Sequence, residues 1–184
     1  FPRGLDFQSY TDKYEVFSSA RNTNVQNWVA DQDNQQNPWW ILNRVPREDS
    51  RDRMMAMVTG SWKFNPWLSF QLRGSVDKTF DQNDLKAYAS TQTTLADANG
   101  RYILSKNNGS SNYGDAMFII DRPSDNISFN AVLGTSIYDT RLATQFADSK
   151  GADLRFANIF SLQNIKQPGA NIAEGLTRQQ LQSV

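Results

Sequence analysis

The residues that could perform chemistry in this 184-residue chain are carboxylates, amides, hydroxyls and aromatic rings, because it has no cysteine and no histidine. Those absences exclude disulfides, thiolate nucleophiles, Cys/His zinc sites and triads with an imidazole base. The run Asp31-Gln32-Asp33-Asn34 offers oxygen ligands but lacks the glycine and glutamate of an EF-hand loop. No acidic pair has a spacing that singles out a glycosidase dyad. We therefore expect no metal site, no cofactor and no enzymatic activity.

Aromatic rings beside side-chain amides are the groups left for recognition, since 12% of the residues are aromatic. Flat rings with neighbouring amides suit sugars, and they equally suit protein interfaces or packing inside long loops. The sequence favours loop packing first, contact with a protein partner second and ligand contact third. The candidates in predicted loops are Trp28, Trp39, Trp40 and Tyr88.

Charge and hydrophobicity narrow the possible partners further. Nineteen basic residues balance nineteen acidic ones, which does not favour a protein that must neutralise nucleic-acid phosphates. The longest strictly apolar runs are five residues, Met54–Val58 and Ala116–Ile120, whereas a transmembrane helix needs about 20. No basic start followed by an apolar stretch is visible, so we expect no signal peptide in this sequence.

Alternation of apolar and polar residues is the clearest structural pattern. It runs from Met54 to Phe64 and resumes from Leu68 to Lys78, and Asn65-Pro66 lies between the two runs. A period of two is typical of a strand with one apolar and one polar face, and Asn-Pro favours a tight turn. The sequence therefore predicts an antiparallel hairpin over residues 54–78.

A second hairpin is predicted over residues 102–139. Its first strand is Tyr113–Ile120, extended by Tyr102–Lys106 past a flexible Asn107–Ser111, where Asn108-Gly109 could instead form a local turn. The dense turn signal Asp121–Asn126 follows. Alternation then resumes from Ile127 and defines the second strand.

The connections alternate in length, with long regions at 1–53, 79–101 and 140–184 and short turns between. Long loops without structure are uncommon in compact soluble domains, but outer-membrane barrels combine short periplasmic turns with long extracellular loops. Strands of eleven residues also match the 9–11 needed to cross a bilayer at a tilt. The charged run Arg47–Arg53 would mark the outer rim. A soluble β-sandwich with one wet face stays open as the alternative.

A barrel wall assigns the two faces different solvents. The predicted lumen-facing residues are Thr59, Ser61, Gln71, Arg73, Ser75, Asp77, Ser128 and Asn130. We expect them to line a wet interior or to contact a plug more readily than to contact substrate. The predicted lipid-facing residues are Val58, Trp62, Leu68, Phe70, Leu72, Phe129 and Leu133. About four strands cannot close a barrel, so we expect an all-β, antiparallel segment of a larger one. The last residues, Gln182–Val184, lie where another strand could begin.

Two stretches carry a specific resemblance: Asn34–Arg44 followed by Glu48–Arg53, and Ser61–Ser69, with the sequence S-W-K-F-N-P-W-L-S. They resemble the SusC/RagA family of TonB-linked outer-membrane transporters, and the second is similar to that family's S-x-K-F-x-x-W-L-S hairpin. The tail Gly175–Val184 is similar to the approach to the family's next strand. The resemblance covers essentially the whole chain as an internal barrel segment.

The resemblance implies a parent barrel of about 22 strands with an N-terminal plug. It implies a SusD-like surface lipoprotein as lid, energy coupling through TonB, and import of oligosaccharides or peptides across the outer membrane of a Gram-negative, Bacteroidetes-like cell. The plug and the TonB-contacting part are not recognisable in this sequence. The alternative function is a secreted β-sandwich that binds carbohydrate through exposed aromatic side chains.

Overall fold

The computed structural model describes residues 4–29, 35–123, 127–167 and 169–184. Two features predicted above lie outside these ranges: the acidic run at residues 31–34, and residues 124–126 of the second predicted turn. The described residues contain seven strands, one α-helix and two short 3-10 turns. The strands are β1 (Glu15–Ser18), β2 (Thr23–Gln26), β3 (Arg47–Asn65), β4 (Leu68–Tyr88), β5 (Gly100–Arg122), β6 (Phe129–Asp148) and β7 (Asn171–Ser183). The helix is α1 (Pro38–Arg44), and the 3-10 turns are Gln8–Tyr10 and Leu162–Asn164.

The long strands form one sheet in chain order, β3-β4-β5-β6-β7, and β1 pairs with β2 in a separate antiparallel pair. The prediction of a mostly antiparallel, all-β chain is confirmed. The sheet is open, because β3 and β7 are its outermost strands among the described residues. No helix of the described residues is long and apolar enough to cross a membrane.

The first strand begins earlier than predicted. The charged run Arg47–Arg53, expected just outside the strand, is part of β3. Arg51 and Arg53 pair with Asp81 and Asp77 on β4, and cross-strand ion pairs make a charged sequence compatible with a sheet. The hydrophobicity pattern did not predict this extension, because the residues on both strands of each ion pair are charged and show no apolar–polar alternation.

The predicted break in the third long strand is also wrong. β5 runs without interruption through residues 107–111, and Asn108-Gly109 is not a turn. β4 continues to Tyr88, so its extra residues provide a hydrogen-bonding partner for this part of β5. A Cβ at Gly109 would lie 2.6 Å from Thr79 Oγ1, so glycine serves here as a close-approach position rather than a turn.

The sheet has five long strands where about four were expected. Part of the region 140–184, predicted to be a loop, continues β6 to Asp148 and forms β7. The predicted loop 79–101 is shortened to residues 89–99, because β4 continues to Tyr88 and β5 begins at Gly100. β7 was missed because its polar residues alternate with few apolar ones.

The chain folds into two compact units. Unit 1 comprises residues 1–50, 82–106 and 145–174, and unit 2 comprises residues 51–81, 107–144 and 175–184. Each long strand therefore contributes residues to both units. Among the described residues, unit 2 consists mainly of strand residues and the turn between β3 and β4, whereas unit 1 also holds β1, β2, α1 and the connections.

Unit 1 has its own small core. Tyr102, Ala147, Leu154 and Ile165 form a buried cluster, and Phe160 packs against it. A loop region of this length needs such a core, because its backbone polar groups must otherwise remain hydrated.

Helix α1 is fixed at its start by an asparagine. The Asn37 side chain accepts a hydrogen bond from Trp39 N at 3.0 Å, and its Nδ2 donates to Asn27 O at 2.9 Å. Pro38 occupies the first helical position, where its missing N–H costs nothing. This cap orients two consecutive tryptophans, Trp39 and Trp40.

Asn164 holds the connection between β6 and β7 in one conformation. Its Oδ1 accepts from Phe156 N at 2.9 Å, and its Nδ2 donates to Phe156 O and Ile159 O at 2.8 and 2.7 Å. The side chain is buried, so these bonds replace contacts with water.

Replacing Asn164 with alanine should destabilise unit 1. The substitution removes the side-chain partner of one N–H and two carbonyls, those of Phe156 and Ile159, which we expect to cost about 2–4 kcal/mol of unfolding free energy. Urea unfolding followed by tryptophan fluorescence measures the loss. Gln163→Ala, at the exposed neighbouring position, is the matched control. Equal stability of the two variants would contradict the assignment.

Candidate functional site

One side of the sheet in unit 2 carries paired charges. Arg53 donates from Nε and Nη2 to both carboxylate oxygens of Asp77, at 2.9 and 2.5 Å. Arg51 pairs in the same way with Asp81. We call this side, with the odd-numbered residues of β3, β4 and β5, the polar face. Two oppositely charged groups across neighbouring strands stabilise a sheet without needing burial.

Arg73 extends the polar face to β5. Its Nε lies 3.1 and 3.0 Å from the two carboxylate oxygens of Asp115, whose side chain is buried. Arg73 and Asp77 are four residues apart on one strand, which is too far for a direct ion pair. Each instead pairs with a neighbouring strand, which spacing along a single strand could not reveal.

The opposite side of the sheet in unit 2 is apolar. The ring of Phe70 lies 5.8 Å from that of Trp62 and 4.9 Å from that of Phe118, so three strands share one aromatic row. All three residues are even-numbered, as alternation requires for residues on one face. We call this side the apolar face.

Contacts of glycines assign β6 to the same two faces. A Cβ at Gly114, on the apolar face of β5, would lie 3.6 Å from Ile137 Cγ2. One at Gly134 would lie 2.8 Å from Met117 Cβ on the polar face. Odd-numbered residues of β6 therefore share the apolar face.

The residues predicted to face lumen and lipid fall on opposite sides of the sheet. The polar face receives Thr59, Ser61, Gln71, Arg73, Ser75, Asp77 and Asn130, and Ser128 immediately precedes β6. The apolar face receives Val58, Trp62, Leu68, Phe70, Leu72, Phe129 and Leu133. Which solvent each face meets stays a prediction.

The apolar face is open to its surroundings. Val58 is 72% exposed, Leu133 69% and Trp62 52%, although all three are large hydrophobic residues. Soluble monomers rarely expose contiguous apolar patches of this kind, and such patches mark a surface that is covered by something else.

The polar face contains a shallow groove of about 340 Å³ across β4, β5, β6 and β7. Its lining includes Asp77, Thr79, Ser111, Thr140 and Gln179. Hydroxyls, an amide and an ion-paired carboxylate suit water or a polar chain better than an apolar ligand.

The four aromatic candidates lie in unit 1, and the structure separates them. Trp40 is 1% exposed, and its Nε1 donates to Thr91 Oγ1 at 3.0 Å. It has almost no exposed surface to offer a ligand or a partner, so its contacts agree with loop packing, the role that the sequence favoured first. Adjacent residues on α1 point to different sides, which is why Trp39 does not share its burial.

Trp39 and Tyr88 are half-buried and packed. Trp39 stacks on Phe7 with ring centroids 5.1 Å apart. Tyr88 meets Phe160 edge to face at 5.0 Å, and Arg44 lies 5.0 Å above its ring. These two rings contribute mostly to the cohesion of unit 1.

Trp28 is the candidate that lines a cavity. The cavity has a volume of about 410 Å³, and its walls include Arg21, Gln26, Ser90 and Asp97. Ser90 has a φ of 80°. Residues other than glycine rarely adopt this backbone conformation, and those that do are often at functional positions. An aromatic ring with a cation, a carboxylate, an amide and hydroxyls can bind a polar, neutral ligand.

A further ion pair joins β5 and β6 in unit 1. Arg101 donates from Nε and Nη2 to Asp148 at 2.8 and 2.6 Å, and Lys150 N adds a third bond at 2.9 Å. Burial by itself raises the pKa of Asp148, but these hydrogen bonds outweigh it, so the pKa lies below its usual value. The described residues contain no cluster of three acidic groups that could hold a metal ion.

Sequence reasoning missed Asp115, Asp148 and Arg101. Their partners are 42 and 47 residues away, so only knowledge of strand pairing could have joined them. The alternation of β5 was too irregular to set its register.

A scan against known protein families finds no match for this sequence, and a search of curated proteins finds none either.

The lowered pKa of Asp148 predicts a stability that depends on pH. A carboxylate of this kind stabilises fully above its unfolded pKa, near 3.8, and loses that contribution as the pH falls through the folded value. We expect Asp148→Asn to cost about 1–3 kcal/mol at neutral pH. The gap to the native chain should shrink below about pH 4.

Urea unfolding of both proteins between neutral pH and about pH 3 measures this gap. Asp12→Asn, at an exposed position that makes no ion pair with a described residue, is the control. A gap that stays constant across the range would show that Asp148 does not act through its charge.

Proposed function

We propose that this chain is a wall-and-loop segment of a SusC-like, TonB-dependent transporter in the outer membrane of a Gram-negative bacterium. Its strands would join the remaining strands of the barrel around a plug, and its loops would lie outside the cell beneath a SusD-like lipoprotein. The whole transporter would import oligosaccharides or peptides. The segment contributes no covalent chemistry and depends on other parts of the transporter for coupling to TonB.

The observation that carries this proposal is the contrast between the two faces in unit 2. Three neighbouring strands expose an aromatic row on one side and hold arginine–carboxylate pairs on the other. A barrel wall requires this distribution, because one face meets hydrocarbon and the other meets water or the plug. A soluble sheet would bury its apolar face instead.

The dimensions are compatible with a bilayer. The alternating run Met54–Phe64 has eleven residues, which at a rise of about 3.3 Å and a tilt near 45° covers about 25 Å. That is the height of the apolar band of an outer-membrane barrel. The charged residues Asp52 and Arg51 precede this run on β3.

The edges of the sheet favour a segment over a complete protein. β3 and β7 each have one side that pairs with no described strand, and every residue of β7 is exposed. Unpaired backbone groups cannot be left in lipid, so the proposal requires neighbouring strands at both edges.

Unit 1 would supply the extracellular part of the transporter. Its own core and its hydrogen-bonded turns make it a firm platform rather than a set of loose loops. Trp28, beside the polar cavity, is the aromatic candidate best suited to substrate, and Trp39 and Tyr88 have partly exposed rings that a lid could contact.

A carbohydrate-binding β-sandwich is the second candidate function. The cavity beside Trp28 favours it, because an aromatic ring with several hydrogen-bonding groups suits a sugar. A sandwich also needs a second sheet about 10 Å away from the apolar face. The other sheet among the described residues has two short strands and belongs to unit 1.

Fluorophore labelling tests the membrane assignment residue by residue. The chain has no cysteine, so single cysteines introduced from Leu68 to Asp77 can each carry an environment-sensitive dye. In mixed micelles of phosphatidylcholine and dodecyl maltoside, which do not require the sheet to close into a barrel, we expect even positions such as Leu72 to report hydrocarbon and odd positions such as Gln71 to report water. Lipids with brominated acyl chains should quench the even positions only.

The sandwich predicts a different result for the same variants. Its even positions would be shielded without any lipid, brominated lipid would quench none of them, and the chain would elute as a sharp monomer without detergent. That result would overturn the transporter proposal. An absence of period-two behaviour would contradict the faces themselves.

A further inference from the structure

Basic side chains form a row across the apolar face in unit 2. The alternation along each strand places three basic residues on that face: Lys78 on β4, Arg141 on β6 and Arg178 on β7. Asp139, on the same face as Arg141, accepts from Arg178 Nε at 2.9 Å and lies 3.6 Å from Arg141 Nε. We call Lys78, Arg141 and Arg178 the basic row.

Contacts between neighbouring strands fix the alignment of this row. A Cβ at Gly109 would meet Thr79, which places Ser110 opposite Lys78 in the antiparallel pair. The approach of Gly114 to Ile137 places the same Ser110 opposite Arg141. Ser110 is therefore between the lysine and the first arginine, with its hydroxyl on the apolar face.

The alignment of β6 with β7 completes the row. Thr140 Oγ1 donates to Gln179 O at 3.5 Å, and the hydroxyls of Ser136 and Ser183 are 2.9 Å apart. Both contacts place Arg178 opposite Arg141. At about 4.8 Å between strands, the row from Lys78 to Arg178 spans about 14 Å.

The charges of the basic row are only partly neutralised. On the polar face, each arginine that pairs across strands has a carboxylate of its own. On the apolar face, Asp139 is the acid that forms ion pairs with the row among the described residues, and it engages both arginines. Lys78 forms no ion pair with any described residue, Asp52 on the neighbouring strand included. The three basic side chains outnumber the two nearby carboxylates, Asp139 and Asp52, so the row has an excess positive charge.

Asp139 also orients the two arginines. It engages the Nε of each, so the Nη groups stay without a hydrogen-bond partner among the described residues. Both arginine side chains are 53% exposed, whereas that of Asp139 is only 15% exposed. Two guanidinium groups held side by side with free Nη donors match the geometry of a phosphate group.

The basic row has exposed apolar side chains beside it. Val76 and Phe80 flank Lys78 on β4, and Leu176 flanks Arg178 on β7, and all three are exposed. Asp52, which precedes Met54 by two residues on the same face, is charged. A ligand with a phosphate at the row would have apolar surface beside it for hydrocarbon chains.

We propose that the basic row binds the phosphate group of an anionic membrane lipid. Lys78, Arg141 and Arg178 supply the charge, Ser110 donates a hydrogen bond from its hydroxyl, and the acyl chains lie along the apolar face below the row. The inference rests on the proposed function, because it requires lipid to cover that face. Its chemistry goes beyond the transporter assignment, since a barrel wall needs no phosphate site.

Lipid retention in neutral detergent tests the proposal. The 184-residue chain in dodecyl maltoside micelles is titrated with phosphatidic acid or with diacylglycerol of the same acyl chains, and bound lipid is counted by native mass spectrometry. We expect phosphatidic acid to bind about tenfold more tightly than diacylglycerol. Inorganic phosphate alone should not bind, because it lacks the acyl chains.

Charge-matched variants show where the lipid binds. Lys78→Gln combined with Arg141→Gln should remove the preference for phosphatidic acid. Lys13→Gln combined with Arg155→Gln makes the same change in net charge at exposed positions of unit 1 and should keep it. The Lys78→Gln single variant, which breaks no ion pair among the described residues, should weaken the preference with the fold unchanged.

Each other outcome overturns the lipid site in a distinguishable way. Equal retention of both lipids, or equal losses in both double variants, refutes it and leaves the transporter segment standing. Binding of inorganic phosphate as tight as that of phosphatidic acid assigns the row to a soluble anion instead. A detergent-free monomer that takes up neither lipid refutes the site together with the proposed function.

Discussion

The opposite orientation of successive side chains along a strand is the constraint on which unit 2 depends. Because the period is two, a single register decides both what the aromatic row contacts and which carboxylate each arginine meets. Trp62, Phe70 and Phe118 meet on one side, while Arg53 and Arg73 meet Asp77 and Asp115 on the other. A slip by one residue would exchange the faces, placing charges among aromatic rings. The two sets of contacts therefore enforce the same pairing.

Unit 1 follows a different rule, in which hydrogen bonds from asparagine and aspartate organise irregular backbone. Asn37 starts α1, Asn164 closes the connection after β6, and Asp148 joins Arg101 to the turn at Lys150. This explains the use of a sequence rich in amides rather than charges. A short side chain with both donor and acceptor can satisfy backbone groups that no strand reaches. The result is a framework in which Trp40 is buried and Trp28 borders a cavity.

The sequence predicted the elements of regular alternation well and those held by pairing poorly. The first hairpin was expected at residues 54–78, and its turn is found between Asn65 and Leu68. The continuation of β3 into its charged run depends on Asp77 and Asp81 opposite, which no local pattern contains. β7 offers almost no apolar alternation, and it is a strand because β6 provides backbone partners for it. Among the loop aromatics, burial separated Trp40 from its neighbour Trp39, although the two look equivalent in sequence.

By itself the sequence determined the fold class, the two-faced character of the first hairpin and the exclusion of cysteine and histidine chemistry. These follow from residue type and from a period of two, both of which are local. Only the tertiary structure decided the number of strands in the sheet, the partners of the arginines, and the alignment of Lys78, Ser110, Arg141 and Arg178. Those features join residues that are tens of positions apart, and the hydrogen-bonded register of four strands sets their distances.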